Sequence, residues 1–288
     1  MSSLTFFNPM DPRKKLFVSD LDGTLLDEHG DFPRPWVQRL NRMIENGLRF
    51  TIATARNYDS VHPILHEVHL RLPVILFNGA YLTHFDTGHN LAQSNYIPRE
   101  VVHEVLDWVV PMGLDPFVYT FDEKHRLYYR NSTNEGSSHY LKTLEGDGRL
   151  QYVEQYQFMD GESIAGLLLI DTPKVLEPVY RRLLDQYSDH LNLYFAKDIA
   201  RPDYFWLQMF HHHADKGKML RKLLQHLDHP LEQTVVFGDY LNDLEMFEIA
   251  GESIAVGNAL PEVQAVAHRV IGANHQGAVL DHLESLGF

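Results

Sequence analysis

The most constraining feature of the chain is a pair of aspartates directly after a short apolar run. The segment Asp20-Leu21-Asp22-Gly23-Thr24 follows a predicted strand over residues 15–19. The turn after such a strand brings both carboxylates to the sheet edge where open α/β sheets bind ligands. Two carboxylates this close repel each other unless a divalent cation or a proton neutralises one of them. We therefore interpret Asp20 as a Mg²⁺ ligand and nucleophile and Asp22 as an acid/base, which are the groups that phosphoryl transfer requires. The alternative interpretation is an ordinary turn rich in Asp and Gly.

Further polar residues are expected at the ends of later strands. Thr54 follows a predicted strand over residues 51–53, where its hydroxyl and the next backbone amide, that of Ala55, can hold a phosphate oxygen. Thr54 could instead be a helix N-cap. Lys216 lies near the start of an amphipathic segment over residues 219–227. Because helix N-termini favour anions over cations, a bound phosphate is a better reason for Lys216 than helix stability.

A second group of polar residues follows the predicted buried strand over residues 234–237. Asp239, Asn242 and Asp243 lie within five positions of one another in Gly238-Asp239-Tyr240-Leu241-Asn242-Asp243. An Asp N-cap with acids in the first helical turn would explain one carboxylate but not three polar groups. This second pair of acids suits an oxygen-ligand Mg²⁺ site that keeps several waters.

The ordered set D-x-D-G-T, Thr, Lys and G-D-x-x-N-D resembles the haloacid dehalogenase-like hydrolase superfamily. Two further stretches, Phe77-Asn78-Gly79-Ala80 and Val256-Gly257-Asn258-Ala259, are similar to signatures of its Cof-type branch (subfamily IIB). Asn274 with Gly277-Ala278 also matches that branch, although Asp is commoner than Gln276 before this glycine. The resemblance covers nearly the whole chain and implies a C2-type cap domain inserted between the second and third motifs.

The resemblance also implies a role for each motif residue. Asp20 would attack phosphorus to form an aspartyl-phosphate, and Asp22 would protonate the leaving oxygen and then activate water. Asp20 and Asp239 would hold Mg²⁺ through their carboxylates, and Asp22 would add only its backbone carbonyl. Asp243 would contact the ligands of the metal, or bind the metal through a water molecule. The residues that would hold the transferring phosphoryl group are Thr54, Ala55, Lys216 and Asn242.

The order of predicted elements supports an α/β fold with two domains. Residues 1–82 and 214–288 alternate short apolar runs with helical periodicity, which predicts a doubly wound, Rossmann-like parallel sheet as the core. Residues 83–213 contain two predicted helices, over 101–110 and 175–184, and several predicted strands, over 116–121, 127–129, 167–170, 191–195 and 204–210, some of them joined as antiparallel hairpins. This mixture indicates an inserted α+β cap. In such an enzyme a cap excludes water from the site and contacts the part of the substrate that the core does not bind.

Composition excludes several classes of function. The chain has no cysteine, so disulfides, thiolate nucleophiles and Cys-ligated metals are ruled out. A formal net charge of -14 argues against a nucleic-acid partner. No long apolar window or leader-like segment is evident, so we expect a cytoplasmic protein without a membrane partner. Whether it is a monomer or a homodimer stays open.

The sequence leaves several functions in competition. The first is a Mg²⁺-dependent phosphatase for a small phosphorylated metabolite, with a sugar phosphate favoured over pyridoxal phosphate or flavin mononucleotide. The second is a phosphomutase, which the resemblance permits because phosphomannomutases share this cap type. A mutase needs basic cap residues for a second phosphate, and Arg126, Arg130 and Lys142 are scattered. The third is a sugar-phosphate sensor without turnover, for which we would expect some of the acids to be lost.

The run His211-His212-His213 suggests a metal site, but the spacing argues against it. Adjacent side chains of an extended segment alternate between faces, so at most two of the three could share one ion. A polar hinge before Lys216 is the favoured interpretation.

Overall fold

The computed structural model describes residues 11–122, 124–198 and 201–288. The chain divides into two compact units. The first is discontinuous: it runs as far as Gln93 and resumes over Lys216–Phe288. The second is Ser94–Asp215. Within the described ranges, no helix combines the length and the apolar character that crossing a lipid bilayer requires.

Strands and α-helices alternate over residues 16–65 and again over residues 216–285. In chain order the strands are β1 (Leu16–Ser19), β2 (Arg49–Ile52), β3 (Val74–Leu76), β4 (Tyr81–Thr83), β5 (Asn90–Gln93), β6 (Phe117–Phe121), β7 (His125–Tyr129), β8 (Leu150–Tyr152), β9 (Ser163–Asp171), β10 (Leu191–Lys197), β11 (Phe205–His211), β12 (Thr234–Gly238), β13 (Glu252–Ala255) and β14 (Arg269–Val270). The α-helices are α1 (Arg34–Glu45), α2 (Tyr58–Leu65), α3 (Arg99–Val109), α4 (Glu135–Thr143), α5 (Pro173–Tyr187), α6 (Lys216–His226), α7 (Leu244–Ile249), α8 (Pro261–Val266) and α9 (Ala278–Ser285).

The first unit is built on a five-stranded parallel sheet in the order β14-β13-β12-β1-β2. All four residues of β1 and all five of β12 are buried, as expected for strands covered on both faces. The chain leaves β1 for β2 on one side and later returns to β12 on the other. Such a reversal is the topological switch point at which parallel α/β sheets bind ligands. The predicted α/β fold with a parallel-sheet core is confirmed.

A small antiparallel sheet, β3-β4-β5, also belongs to the first unit. A parallel bridge between Ala53 and Ile75 links β3 to the chain that follows β2. Thr83 ends β4 and pairs with Asn90 of β5, so the chain leaves this unit only after Gln93. The predicted core boundary after residue 82 therefore differs from the structural division by eleven residues, because β5 is a strand of this sheet. The functional division into catalytic core and cap stays a prediction.

The second unit contains a six-stranded sheet in the order β10-β11-β9-β6-β7-β8. Every neighbouring pair is antiparallel except β7 and β8. Helices α3 and α5 bury apolar side chains against this sheet, including Val105 and Leu183 against Leu169 and Leu207. This is the α+β insertion that the sequence predicts.

Candidate active site

The two motif strands are neighbours, and their ends place two aspartates side by side. Ser19 of β1 is in register with Phe237 of β12, and the backbone N–H of Asp20 donates to the Phe237 carbonyl at 3.0 Å. Asp20 and Asp239 therefore both follow parallel strands that end at the same edge, at the switch point. Asp20 is 5% exposed. The predicted nucleophile thus lies in a largely desolvated position.

The chain after Asp20 turns tightly around the carboxylate of Asp239. The turn closes with a hydrogen bond from the N–H of Leu26 to the carbonyl of Leu21 at 2.9 Å. Gly23 has a φ of +80°, and a Cβ at this position would lie 2.4 Å from Oδ2 of Asp239. The next residue, Thr24, donates its hydroxyl to Oδ1 of Asp239 at 2.7 Å. Glycine is therefore required here for its backbone conformation and for its lack of a side chain.

Lys216 is fully buried and neutralises part of this acidic cluster. Its Nζ donates to Oδ1 of Asp20 at 2.6 Å and to Oδ1 of Asp243 at 2.7 Å. Burial alone would lower the pKa of Lys216, but the carboxylates of Asp20 and Asp243 outweigh burial and raise the pKa above its ordinary value. The lysine is therefore held as a cation at the first residue of α6, although that end of the helix disfavours positive charge.

The remaining acids make this position suitable for a divalent cation. Asp20, Asp239 and Asp243 offer oxygen atoms that all lie within 4.8 Å of one another. Burial raises the pKa of Asp20 well above its usual range; the charge of Lys216 opposes this effect, and the carboxylates of Asp243 and Asp239 add to it. Burial, with the charge of Asp243, also raises the pKa of Asp239 to about 7. One lysine does not neutralise three carboxylates, two of which, Asp20 and Asp243, are buried, and oxygen donors this close fit the coordination chemistry of Mg²⁺.

Asp243 already accepts hydrogen bonds on both of its oxygens. Besides Lys216 at Oδ1, its Oδ2 accepts the backbone N–H groups of Asp239 at 2.9 Å and Tyr240 at 3.1 Å. These bonds hold the turn that carries Asp239. The geometry therefore agrees with Asp243 as a residue that orients Asp239 and Lys216, which leaves Asp20 and Asp239 as the carboxylates more open to a cation.

Asp22 is not one of the three acids whose oxygens gather within 4.8 Å, and it is paired with Arg56, a residue that the sequence reasoning missed. The Nε of Arg56 donates to Oδ2 of Asp22 at 2.8 Å, and its Nη2 donates to Oδ1 at 2.7 Å. Burial would lower the pKa of Arg56, but the hydrogen bonds and charge of Asp22 raise it overall. The only signal in the sequence is a cation two residues after Thr54. This two-point pairing fixes the orientation of the predicted acid/base.

Besides Lys216, the predicted phosphate-holding residues lie in two loops that are joined by Asn78, one with Thr54 and Ala55 and the other with Asn242. The backbone N–H of Asn78 donates to the carbonyl of Thr54 at 3.0 Å, and its Oδ1 accepts from Nδ2 of Asn242 at 2.9 Å. Asn78 is buried with a φ of +50°, a left-handed conformation that asparagine tolerates better than most residues. The sequence indicated Asn78 only as part of a family signature, so its bridging contact is new.

Thr54 is not the N-cap of the helix that follows it. The helix α2 begins at Tyr58, and the side chain of Asn57 accepts the N–H of Ser60 as its N-cap. The Thr54 hydroxyl instead accepts the N–H of Arg56 at 3.1 Å, and Ala55 lies between them in the same loop. The N-cap alternative for Thr54 is therefore wrong, because the chain makes a turn before the helix starts. Phosphate binding by Thr54 and Ala55 stays a prediction.

The three consecutive histidines are closer together than the sequence suggested. Their ring centroids lie 3.9–5.2 Å apart, and one nitrogen of each ring falls within 4.8 Å of the others. The expectation of alternating faces is wrong because β11 ends at His211 and the chain then turns. His211 Nδ1 accepts the N–H of His213 at 3.0 Å, so the neutral His211 ring carries its proton on Nε2. That tautomer leaves His211 no free lone pair for a metal.

Comparison with known proteins agrees with this geometry. A family model described as haloacid dehalogenase-like hydrolase matches residues 17–283. The chain is 24% identical over 285 residues to the 5-amino-6-(5-phospho-D-ribitylamino)uracil phosphatase YitU of Bacillus subtilis (strain 168), covering 96% of this chain and 98% of that one. It is 25% identical over 283 residues to the pyridoxal phosphate phosphatase YbhA of Escherichia coli (strain K12), with 94% and 98% covered.

A solved structure shows the same fold. The crystal structure of a haloacid dehalogenase-like hydrolase from Bacteroides thetaiotaomicron superposes with a TM-score of 0.78 at 22% identity, and the match covers 94% of this chain and 99% of that one. The family match spans more than nine-tenths of the chain and includes every motif at the switch point. The chain therefore belongs to the haloacid dehalogenase-like hydrolases, and its signatures are those of the Cof type.

Proposed function

We propose that the protein is a Mg²⁺-dependent phosphatase that hydrolyses a small phosphorylated metabolite through an aspartyl-phosphate. The observation that carries the proposal is the cluster of Asp20, Asp239, Asp243 and Lys216 at the switch point of the parallel sheet, in which all but Asp239 are buried. A nucleophilic carboxylate, a fixed cation and oxygen ligands for a metal are there within a few ångströms of one another. These groups are what transfer of a phosphoryl group to a carboxylate requires.

In the proposed first step, a carboxylate oxygen of Asp20 attacks phosphorus, forming a P–O bond to the enzyme as the P–O bond to the leaving alcohol breaks. Lys216 holds Asp20 in place and offsets charge on the transferring group. Asp22 supplies the proton that the leaving oxygen needs. Mg²⁺, held by Asp20 and Asp239, would offset the negative charge that phosphate brings to this acidic position.

In the proposed second step, Asp22 takes a proton from water, and the water oxygen attacks phosphorus. The bond between phosphorus and Asp20 breaks, which returns the carboxylate and releases inorganic phosphate. Arg56 pairs with the ionised form of Asp22, and this form is the base that the second step needs. The same two-point pairing holds the Asp22 carboxyl in one orientation for the proton transfer of the first step.

The substrate class rests on the relatives as well as on the site. Two relatives are named for phosphate esters of small metabolites, a ribitylaminouracil phosphate and pyridoxal phosphate. Both compounds contain a nitrogen heterocycle as well as a phosphate ester, and the first also has a ribityl chain, so they support a phosphorylated metabolite as the class and do not favour a sugar phosphate over a heterocyclic one. The sugar-phosphate preference from the sequence stays a prediction.

The ion pairs of two arginines in the second unit favour the phosphatase over the mutase. A mutase would need basic groups for a second phosphate, and the sequence offered Arg126 and Arg130 among the candidates. Arg126 is already paired with Asp122 at 2.8 Å and with Glu162 at 3.2 Å. Arg130 lies 3.6 Å from Asp115. Each of these arginines would have to leave a carboxylate before it could bind phosphate.

A metabolite screen tests the proposal directly. The purified 288-residue chain is assayed for phosphate release from a panel of phosphorylated metabolites with Mg²⁺ or with EDTA, and with or without a sugar bisphosphate. We expect Mg²⁺-dependent release without the bisphosphate, and a loss of roughly 10⁴-fold or more in Asp20→Asn. Isomerisation that needs the bisphosphate would indicate a mutase. Binding without turnover would indicate a sensor, and a near-normal rate in Asp20→Asn would contradict the mechanism.

A further inference from the structure

Two asparagines outside the proposed mechanism hold the loop that carries the nucleophile. Asn258 follows β13, and its Nδ2 donates to the carbonyl of Gly23 at 2.7 Å. Its Oδ1 accepts the backbone N–H of Asn274 at 2.8 Å. The Nδ2 of Asn274 donates in turn to the carbonyl of Leu26 at 2.9 Å. We call this chain of three hydrogen bonds the Asn258–Asn274 brace.

The brace holds the part of the loop on which the metal ligands depend. Gly23 is in the left-handed conformation. A rotation of its carbonyl would also change the orientation of the peptide groups on either side. On one side lies the carbonyl of Asp22, and on the other lies Thr24, whose hydroxyl donates to Oδ1 of Asp239. A rotation at Gly23 would therefore disturb the contact that orients the Asp239 carboxylate.

The same loop also contacts the Asp239 backbone directly. The N–H of Leu260, two residues after Asn258, donates to the carbonyl of Asp239 at 2.9 Å. One short loop thus binds the backbone of both Gly23 and Asp239. It sets the spacing between the two turns whose aspartates would share a cation.

We propose that Asn258 is a positioning residue for Mg²⁺ binding by Asp20 and Asp239, with Asn274 holding its amide in the required orientation. The inference rests on the proposed function, since the metal is part of it. A merely structural role would act on stability, but Asn258 is exposed, so its removal should cost little stability. Loss of a group that orients a metal ligand weakens metal affinity by about 10- to 100-fold.

The chain offers a matched control for this test. Asn41 is an asparagine in the same unit whose Nδ2 donates to the Glu67 carbonyl at 2.8 Å and whose Oδ1 accepts the N–H of His69 at 2.8 Å. It therefore makes the same two kinds of side-chain-to-backbone bond as Asn258, but neither bond reaches the acidic cluster. The alanine variants of the two residues lose equivalent hydrogen bonds.

The experiment compares Asn258→Ala, Asn41→Ala and the wild-type 288-residue chain. Mg²⁺ binding is measured by isothermal titration calorimetry, and kcat and KM are measured with p-nitrophenyl phosphate at saturating Mg²⁺. We expect Asn258→Ala to bind Mg²⁺ about tenfold more weakly and to lose kcat with little change in KM. Thermal unfolding should show the same midpoint for both alanine variants. Asn258→Ser, whose hydroxyl is too short to reach Gly23, should behave like Asn258→Ala and replaces it if that variant does not fold.

The outcomes separate this inference from the proposed function. Equal Mg²⁺ affinity in Asn258→Ala and Asn41→Ala, with a wild-type chain that binds Mg²⁺, would overturn the positioning role and leave the phosphatase proposal intact. A loss of kcat that follows only a lowered unfolding midpoint would also overturn it. A wild-type chain that neither binds Mg²⁺ nor releases phosphate would contradict both proposals.

Discussion

Replacement of Lys216 by methionine should destabilise the metal-free chain strongly. Lys216 is fully buried and makes two charged hydrogen bonds, at 2.6 Å to Asp20 and 2.7 Å to Asp243. At an effective dielectric constant of about 20, each pair has a gross attraction of roughly 6 kcal/mol, most of which offsets the desolvation of the charges. Because methionine keeps the length of the side chain but removes the charge, the variant leaves buried carboxylates without their cation.

Breaking a buried pair of this kind costs about 3 to 5 kcal/mol. For a chain of this size each kcal/mol lowers the unfolding midpoint by roughly 2 to 4 °C, so we expect a decrease of about 6 to 20 °C in EDTA. The control is Lys218→Met, the same substitution at an exposed lysine two residues further along α6, with an expected change within about 0.5 kcal/mol.

Differential scanning calorimetry and urea unfolding, each with EDTA and with saturating Mg²⁺, measure the effect. Mg²⁺ should restore part of the lost stability, because the cation binds only the folded chain and takes over neutralisation of the acids. If Lys216→Met in EDTA were as stable as Lys218→Met, the lysine would not be needed to neutralise the acids, and the electrostatic description of the site would be wrong.

Three further predictions concern the same site. Gly23→Ala should lose measurable Mg²⁺ binding by calorimetry, because the added Cβ would lie 2.4 Å from Asp239 Oδ2; unchanged affinity would show that the turn moves away freely. In EDTA, the free energy of unfolding should fall as pH rises from about 4 to 7, because burial raises the pKa of Asp239 in the folded chain to about 7 from its ordinary 3.8. In that pH range the folded chain binds a proton that the unfolded chain releases. Urea unfolding at pH 5 and pH 7.5 checks the direction of the change, and added Mg²⁺ should reverse it. Arg56→Lys, which cannot pair with Asp22 at two points, should slow the cleavage of alkyl phosphates more than that of aryl phosphates in single-turnover assays, because only the alkyl leaving group needs a well-placed proton. Equal losses of rate on the two substrate types would show that Arg56 has no part in the proton transfer.

The parts of the site that could be predicted lie directly at strand ends. Asp20 and Asp239 each follow a buried strand of the parallel sheet. Because parallel strands end at the same edge of the sheet independently of loop conformation, the proximity of the two aspartates follows from the fold class. Lys216 was predictable because a cation at a helix start needs an anion to explain it. In each case one local pattern was enough to imply the contact.

The second unit shows where the local patterns fail. Its strands β6, β9, β10 and β11 were predicted within a few residues, since they are apolar and bounded by turns. Helix α4 and strand β8 were missed because they are short and largely polar, with few apolar positions to give a period. The same reason applies to β5, whose burial is only intermediate, so the chain from Thr83 to Gln93 was assigned to the insertion.

The contacts that no local pattern predicted are those between loops. Arg56 pairs with Asp22 across 34 positions, and Asn258 contacts Gly23 across 235. Each depends on how two irregular segments bend toward each other, and that information is in neither segment alone. These are also the contacts that decide whether the acids are merely near one another or correctly oriented. The residue types needed for phosphoryl transfer can therefore be read from single motifs, whereas their alignment depends on residues such as Arg56 and Asn258, which become recognisable only in the folded chain.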